Sequence, residues 1–414
     1  RLTDWPDNSR NPFGEVVKVL GFPGENNVEM QSILLEYDYP IEFPKDVEKE
    51  ADKISDKIPS AEIKRRRDFR DVFTITIDPQ DAKDFDDAIS YRKLPNGHHE
   101  VGVHIADVSY YVRPGSAIDR EAQGRGTSVY LVDRTIPMLP EKLCNNVCSL
   151  RPDEEKLTFS TVFEMNDKAE IIKKWIGKTV IKSNRRFAYE EVQTMIEGGD
   201  GDFKDEILIL NDLATKLREK RMAQGSINFH SEEVKFILDE NMHPIDTYVK
   251  VQNEANMLIE DFMLLSNKTI AEAIGKKDSK YHNYTFVYRV HDEPNPEKLY
   301  NFIALVSRLG YTMNISTREN LVRSYNALFD AVEGRGEKNL VETVALRTMA
   351  KAIYSTVNIG HYGLAFPFYT HFTSPIRRYP DLMVHRLIER YMLENQPSVN
   401  QSEYEVLCQH ASEM

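Results

Sequence analysis

TITIDPQDAKDFDDA, Thr74 to Ala88, decides how the rest of the chain is read, because it sets five aspartates within ten residues directly behind a short β-patterned run. Ile75 and Ile77 point to one side of a strand, so Thr74, Thr76 and Asp78 share the other. Pro79 then breaks the ladder, having no N–H to donate. Asp78, Asp84, Asp86 and Asp87 form the heart of the cluster. Carboxylates this close repel and raise one another's pKa unless a cation neutralises them. With no histidine or cysteine among them, the oxygen-only donor set favours a hard ion, magnesium or manganese ahead of zinc. On these residues alone a structural calcium loop or a solvated acidic turn stands beside catalysis, although the glycine and glutamate that an EF-hand requires are missing.

Working outward, DAISYRKL and HEVGVHIADVSYYV flank Pro95-Asn96-Gly97-His98, where Asn-Gly suits a type I′ turn. The cluster therefore sits at the edge of an antiparallel unit. Val101, Val103 and Ile105 form its core face and leave His104 on the other, within reach of a metal site but better read as a hydrogen-bonded structural histidine. Asp107 reads as a turn residue or backbone cap. Arg151 to Val180 resumes strand patterning, Tyr189 to Ile196 starts a helix, and Ile207, Leu210, Ala214 and Leu217 recur at helical spacing up to Gly225. SINFHSEEVKFILD, Ser226 to Asp239, returns to strand. Asn253 to Ile274 is a long helix with Asn256, Glu260 and Asn267 along one side, either a polar network in the core or a surface facing substrate. Helices follow at Pro296 to Leu309 and at Lys338 to Ser355. Ahead of all this, Arg1 to Phe43 alternates short apolar runs with turn residues, as at the end of a small β domain, and Asp46 to Ala61 is a charged, helix-prone bridge.

Composition bounds the partners. The 414 residues are 41% hydrophobic and 29% charged, those of an ordinary globular protein of two or three domains. A net charge of −13 argues against nucleic acid wrapping the whole surface and leaves room for a basic channel. Positive charge clusters at Lys64 to Arg67 with Arg70, at Arg185 and Arg186, at Lys216 to Arg221, and at Arg377 with Arg378, of which the last is the binding candidate. Three cysteines, Cys144, Cys148 and Cys408, suit free thiols in a reducing cytosol. No run approaches the ~18 apolar residues of a membrane span. Opening at Arg1 and ending at Met414 inside a helical pattern, the sequence reads as a fragment.

The second dense stretch is HFTSPIRRYPDLMVHR, His371 to Arg386. Thr373-Ser374-Pro375 reads as a helix start and Pro380-Asp381 as the start of a longer helix, which places Arg377 near exposed amide groups suited to a phosphate. TIDPQDAKDFDDA, SVYLVDRTIPMLP, GSINF and HFTSPIRRYPDL, in that order through nearly the whole chain, closely resemble the catalytic RNB domain of the ribonuclease II and ribonuclease R family, in wording nearer to its bacterial ribonuclease R branch.

The resemblance implies an α+β fold: a mixed and antiparallel β core surrounded by helices over residues 71–414, behind a helical linker at 46–70 and the remnant of a β-barrel OB-fold (cold-shock) domain at 1–45. It implies a processive 3′ to 5′ hydrolytic exoribonuclease that threads single-stranded RNA and releases nucleoside 5′-monophosphates, working as a cytoplasmic monomer with no membrane partner. Asp78, Asp84, Asp86 and Asp87 would bind magnesium, with manganese possible, and Asp86 would be the most critical for activity. Arg377 would contact the scissile phosphate with Arg378 beside it on the RNA. Tyr130 and Phe229 would clamp terminal bases, and Glu260 and Asn267 would line the channel. Two magnesium ions would activate water and stabilise the leaving 3′ oxygen, while Arg377 offsets charge on the phosphoryl oxygens. A functional glutamate would fall at or just past Glu413, and an S1 domain would follow. Against this stand a catalytically silent RNA-binding relative, a fragment inactive through truncation, and a calcium-stabilised structural domain.

Overall fold

The hairpin at Asn96-Gly97 forms as expected but not through a type I′ turn, which needs positive φ at both residues: Gly97 takes a φ of 86° while Asn96 does not turn positive, the Gly97 N–H donates to Leu94 O at 2.9 Å and the Leu94 N–H donates to His98 O at 2.8 Å. That hairpin is the middle of a larger sheet. The computed structural model describes residues 2–229, 233–240 and 242–414. In chain order the sheet strands are β1 (Arg67–Phe69), β2 (Thr74–Asp78), β3 (Asp87–Lys93), β4 (His99–Ala106), β5 (Glu155–Met165), β6 (Ile171–Lys182) and β7 (Arg185–Ala188). Their spatial order is β7-β2-β3-β4-β5-β6-β1, antiparallel except that β1 runs parallel to β6 and β7 parallel to β2. The architecture is α+β with a mixed sheet.

Both faces of this sheet are covered, so its middle strands are buried throughout rather than alternating. On one face Ile105 lies opposite Phe159, whose ring meets Phe372 and His385 edge-on, and Thr161 donates to Ser266 of the long helix Glu254–Gly275. The other face is polar inside. His104, fully buried, is hydrogen-bonded to Ser160 Oγ at 2.7 Å and Ser90 Oγ at 2.8 Å, with the Phe69 ring edge-on at 4.8 Å. Because Asp87 pairs with Ile105 and Ala88 with His104, the period of two sends the histidine to the face opposite Asp87. The structural reading of His104 holds.

Burial pushes the His104 imidazole down to about 3 and that of His385, which donates to Phe372 O at 2.8 Å, down to about 4. Both are neutral in the fold, while in the unfolded chain each takes up a proton near pH 6.5. Their contribution to stability is therefore complete above about pH 6.5 and is lost as pH falls toward 4, by at most ~1.4 kcal/mol per pH unit for each. Urea melts at pH 7, 6 and 5 check this; the expected loss is shallower in His104→Asn, and an unchanged slope in that variant would contradict it.

Several expectations change. Asp107 does stand at the N-cap of the short helix Val108–Tyr111, its O accepting from the Tyr110 N–H at 3.1 Å, but its side chain goes beyond that role: it is buried and accepts from Arg66 Nη2 at 2.7 Å and Lys178 Nζ at 2.7 Å. The expected helix Lys338 to Ser355 stops at Thr348, and Ile353–Ser355 is a strand paired with Tyr288–Val290. Tertiary pairing there overrides a helix-compatible run. The helix Arg318–Val332 was not anticipated, although Thr317 caps it by accepting from the Asn320 N–H. It joins Pro296–Arg308 and Lys338–Thr348 in a three-helix unit with its own core of Phe302, Val306, Tyr325 and Val341. In the N-terminal stretch, short strands Leu2–Asp4 and Phe13–Gly14 pair antiparallel and are followed by a helix, Asn26–Glu36. Within Ser226 to Asp239 the strand spans Glu233–Leu238, while His230 to Glu232, like Arg1, lie outside the described residues. Among the described residues no helix is long and apolar enough to cross a membrane.

Candidate active site

The aspartate cluster forms where strand pairing fails. β2 and β3 are matched only at Thr74 with Ser90 and Ile75 with Ile89, so the two strands part before Asp78 and Asp87. The intervening loop is pinned from outside: Ser149 Oγ accepts from the Phe85 N–H at 3.0 Å and donates to Lys83 O at 2.8 Å, and Arg186 donates to Pro79 O. Asp78, Asp84, Asp86 and Asp87 are thereby gathered at one end of the sheet.

The second motif closes on the first. The Ile376 N–H donates to Asp86 Oδ1 at 2.9 Å, and Arg377 Nε stands 3.8 Å from Asp86 Oδ2, joining residues 290 positions apart. The segment carrying Arg377 is held at further points. Asn267 Oδ1 accepts from the Phe372 N–H at 2.8 Å, Asp381 Oδ1 accepts from the Ser374 N–H at 2.8 Å, and Arg377 O accepts from the Ser128 N–H at 2.9 Å. The regular helix begins only at Tyr379, so Thr373 to Pro375 lead a turn and not a helix; one of its free amides serves Asp86.

Burial first, and then the neighbouring carboxylate of Asp87, push Asp78 up to about 8. Burial also lifts Asp87 to about 6 against the pull of Arg377 and Arg378, and it raises Asp84 and Asp86. A cluster of this kind has excess negative charge for a cation to neutralise. Asp78 Oδ2 is buried with no hydrogen-bond partner among the described residues. Yet among those residues no three carboxylate, imidazole or thiolate side chains converge as a ready-made metal cage. The unpartnered Asp78 oxygen among further buried carboxylates is an oxygen-only donor set that fits a hard divalent cation completed by waters and phosphate oxygens.

The aromatic and polar candidates divide. Tyr130, 57% exposed, lies on the ribbon formed by Val129–Tyr130 and Thr135–Ile136, which is tied to Arg377 through Thr127 and Ser128 and lies within electrostatic reach of Arg377, Asp84 and Asp86. Helix Asn26–Glu36 backs it through Leu34 against Ile136. Phe229 and Glu260 instead line a cavity of about 990 Å³ between the long helix and the three-helix unit, where the Phe229 ring leans on Phe329 at 5.5 Å. Asn267 is buried and spent on the Phe372 backbone, and Arg378 forms a two-point pair with Asp381 at 2.7 and 2.9 Å. The polar stripe of the long helix thus serves both readings, with Asn267 in the core and Glu260 at a cavity wall. Tyr189 was missed: its hydroxyl is raised by burial and by Asp87 and Asp78. The available signal was its place directly after β7, whose last residue, Ala188, pairs with Asp78. At the far end of the chain, helix Gln401–Glu413 brings Met414 against Gly126, beside the same ribbon.

A mixed sheet whose splayed end collects four aspartates, closed by an arginine from a distant turn, defines a phosphoryl-type site on oxygen ligands. The chain belongs to the RNB domain family, whose model matches residues 66–394, and a cold shock domain model matches residues 1–44. It is 42% identical to ribonuclease R of Thermotoga maritima over 95% of this chain and 56% of that protein. It is also 35% identical to an Arabidopsis thaliana protein named inactive exonuclease DIS3L2, over 94% of this chain and 39% of that one. The structure resembles Mycoplasma genitalium RNase R in complex with ribose-methylated single-stranded RNA, with a TM-score of 0.87 and 28% identity over 96% of this chain and 63% of that one. The chain spans about half the length of the curated relatives it matches.

Proposed function

We propose that this chain is the catalytic part of a 3′ to 5′ exoribonuclease that hydrolyses single-stranded RNA processively to nucleoside 5′-monophosphates, acting as a cytoplasmic monomer. The contact between Ile376 and Asp86 carries the reading, because it puts the phosphate-binding type of arginine and the acidic cluster at one point. Asp78, Asp84, Asp86 and Asp87 would hold magnesium, or manganese, which when bound supplies an activated water and charge neutralisation at the leaving 3′ oxygen. Asp86 fixes the arginine segment through its Oδ1. Arg377 then faces the scissile phosphate and offsets charge that grows on its oxygens. The Tyr130 ring, exposed beside Arg377, offers a π-face to the terminal base. RNA binding by Mycoplasma RNase R supports the choice of substrate.

The test is digestion of a 5′-labelled single-stranded RNA with magnesium, with and without EDTA, resolving products by length over time. Shortening from the 3′ end to one short terminal product, stopped by EDTA, is expected. RNA binding without shortening, repeated in a chain extended past Met414, would instead place this protein with the inactive relatives. Tyr130→Ala is expected to weaken RNA binding by about 1–3 kcal/mol, or roughly 5- to 150-fold in Kd, by loss of base stacking. A Kd within twofold of the unsubstituted chain would remove Tyr130 from the site.

A further inference from the structure

Tyr130 rides on a ribbon that needs outside support. Val129–Tyr130 and Thr135–Ile136 pair with each other and, among the described residues, meet no third strand. A two-stranded hairpin that short is marginal in water. Its root is tied to the arginine turn, where Thr127 Oγ1 donates to Arg377 O at 3.0 Å. Its apolar side is held elsewhere. Val129, Leu131 and Ile136 pack on Leu34, Tyr39 and Ile41, a small core that, among the described residues, contains nothing from the seven-stranded sheet or the helices covering it. All three supporting residues lie within residues 1–44, the stretch that the cold shock domain model matches.

That packing decides where the tyrosine points. Neighbouring residues of a strand face opposite ways, so turning Val129 and Leu131 toward the N-terminal domain sends Tyr130 outward, where it is 57% exposed. The tip of the ribbon is fastened to the same domain. Asp133, its side chain only 2% exposed, accepts from Arg134 Nη2 at 2.6 Å and from Asn26 Nδ2 at 2.9 Å, and Arg134 Nη1 donates to Asn27 Oδ1 at 2.5 Å. Arg134 holds the Asp133 carboxyl below its usual range, so the Asn26 amide donates to a charged group. Near the root, the Tyr39 hydroxyl donates to Thr127 O, and Arg125 Nη2 donates to Glu42 O at 2.9 Å with its guanidinium 3.9 Å from the centre of the Phe43 ring. Root, middle and tip are thus all fastened to residues between Asn26 and Phe43, which fixes the angle of the ribbon.

We propose that the N-terminal domain positions the stacking tyrosine: helix Asn26–Glu36, through Asn26 on Asp133 and Leu34 on Ile136, holds the Tyr130 ring at the angle that a terminal base of the RNA meets. Asn26 and Asp133 are positioning residues and act through Tyr130. The inference rests on the reading of Tyr130 as a stacking surface given above, and it adds that two domains assemble that surface. Direct contact of the helix with RNA is the competing explanation; a covered, ionised Asp133 at the point of attachment disfavours a phosphate there.

The experiment measures Kd for a 5′-fluorescein oligoadenylate in EDTA, so that no cleavage occurs. Asn26→Asp sets a second carboxylate against Asp133, while the helix itself tolerates the change because an acidic residue suits its first turn. That variant is expected to raise Kd about threefold or more, a share of what one stacked base contributes. Asn26→Asp combined with Asp133→Asn exchanges the chemistry of the two partners and should bring Kd back to within about 1.5-fold of the unsubstituted chain. In a Tyr130→Ala background, Asn26→Asp should change Kd by less than about 1.5-fold, a coupling that neither direct RNA contact nor a general loss of stability produces. Asn26→Asp with the Kd of the unsubstituted chain overturns the proposal and leaves the reading of Tyr130 in place. An equal loss with and without the Tyr130 ring overturns it in favour of direct contact. Tyr130→Ala that by itself leaves Kd unchanged removes the stacking reading and the proposal together.

Discussion

Replacement of Asp86 by asparagine is expected to slow RNA shortening by at least ~10³-fold, while RNA still binds and resistance to urea does not fall. Asparagine keeps an Oδ1 acceptor for the Ile376 N–H, so the segment bearing Arg377 stays in place. What disappears is the negative charge that draws Arg377 and would help hold a cation. Stability is spared for a reason visible in the site: burial already holds the Asp86 carboxyl well above the usual carboxylate range, so its ionised form is disfavoured in the fold and a neutral isostere removes a cost. Cleavage of a 5′-labelled RNA, measured with anisotropy for binding and urea melts for stability, separates the three effects. Activity within threefold of the unsubstituted chain would take Asp86 out of the reaction. A collapse of stability would point to the calcium-type structural reading.

Asp107→Asn is expected to do the reverse, lowering stability by about 3–5 kcal/mol, because it removes the fully buried charge that Arg66 and Lys178 share and leaves them only Glu62 at 2.7 Å and Glu389 at 3.1 Å. Asp107 is 1% exposed, receives Arg66 and Lys178 from two directions, and accepts from Ser109 Oγ at 2.7 Å. Burial alone would raise its carboxyl, yet Lys178 and Arg66 hold it well below the usual carboxylate range. Lys178 also reaches Glu389 at 3.1 Å, just past the helix that follows Arg377, so the loss would spread from the linker to the active-site side of the sheet. Urea denaturation gives the number. A change below about 1 kcal/mol would mean that water relieves the two cations, and the network would then not matter for stability.

The two variants show which parts of this protein are local. The β2 strand, the hairpin turn and the helix closed by Gly225 are legible because each is written in residues a few positions apart: a period of two, an Asn-Gly pair, a glycine at positive φ. The acidic motif is legible for the same reason. The roles of Asp107, Asn267 and Arg378 are not, since a polar residue in a strand end or helix looks the same whether its partner is water or a buried group from another element. The overrun at Lys338 to Ser355 has a similar origin. Nothing in Ala350 to Ser355 announces Tyr288–Val290 as a strand partner.

By itself the sequence determined the aspartate cluster, its place between a broken strand and a hairpin, the arginine turn, and membership of the RNB family. Those depend on residue type and short spacing. Only the tertiary structure decided that Asp86 accepts from Ile376, and that Tyr130 lies on a ribbon tied to Arg377 while Phe229 and Glu260 share a cavity beside the long helix. Each of those facts is a distance between segments far apart in the chain. Such distances are set by how the sheet splays and the helices pack, which no single stretch of residues encodes.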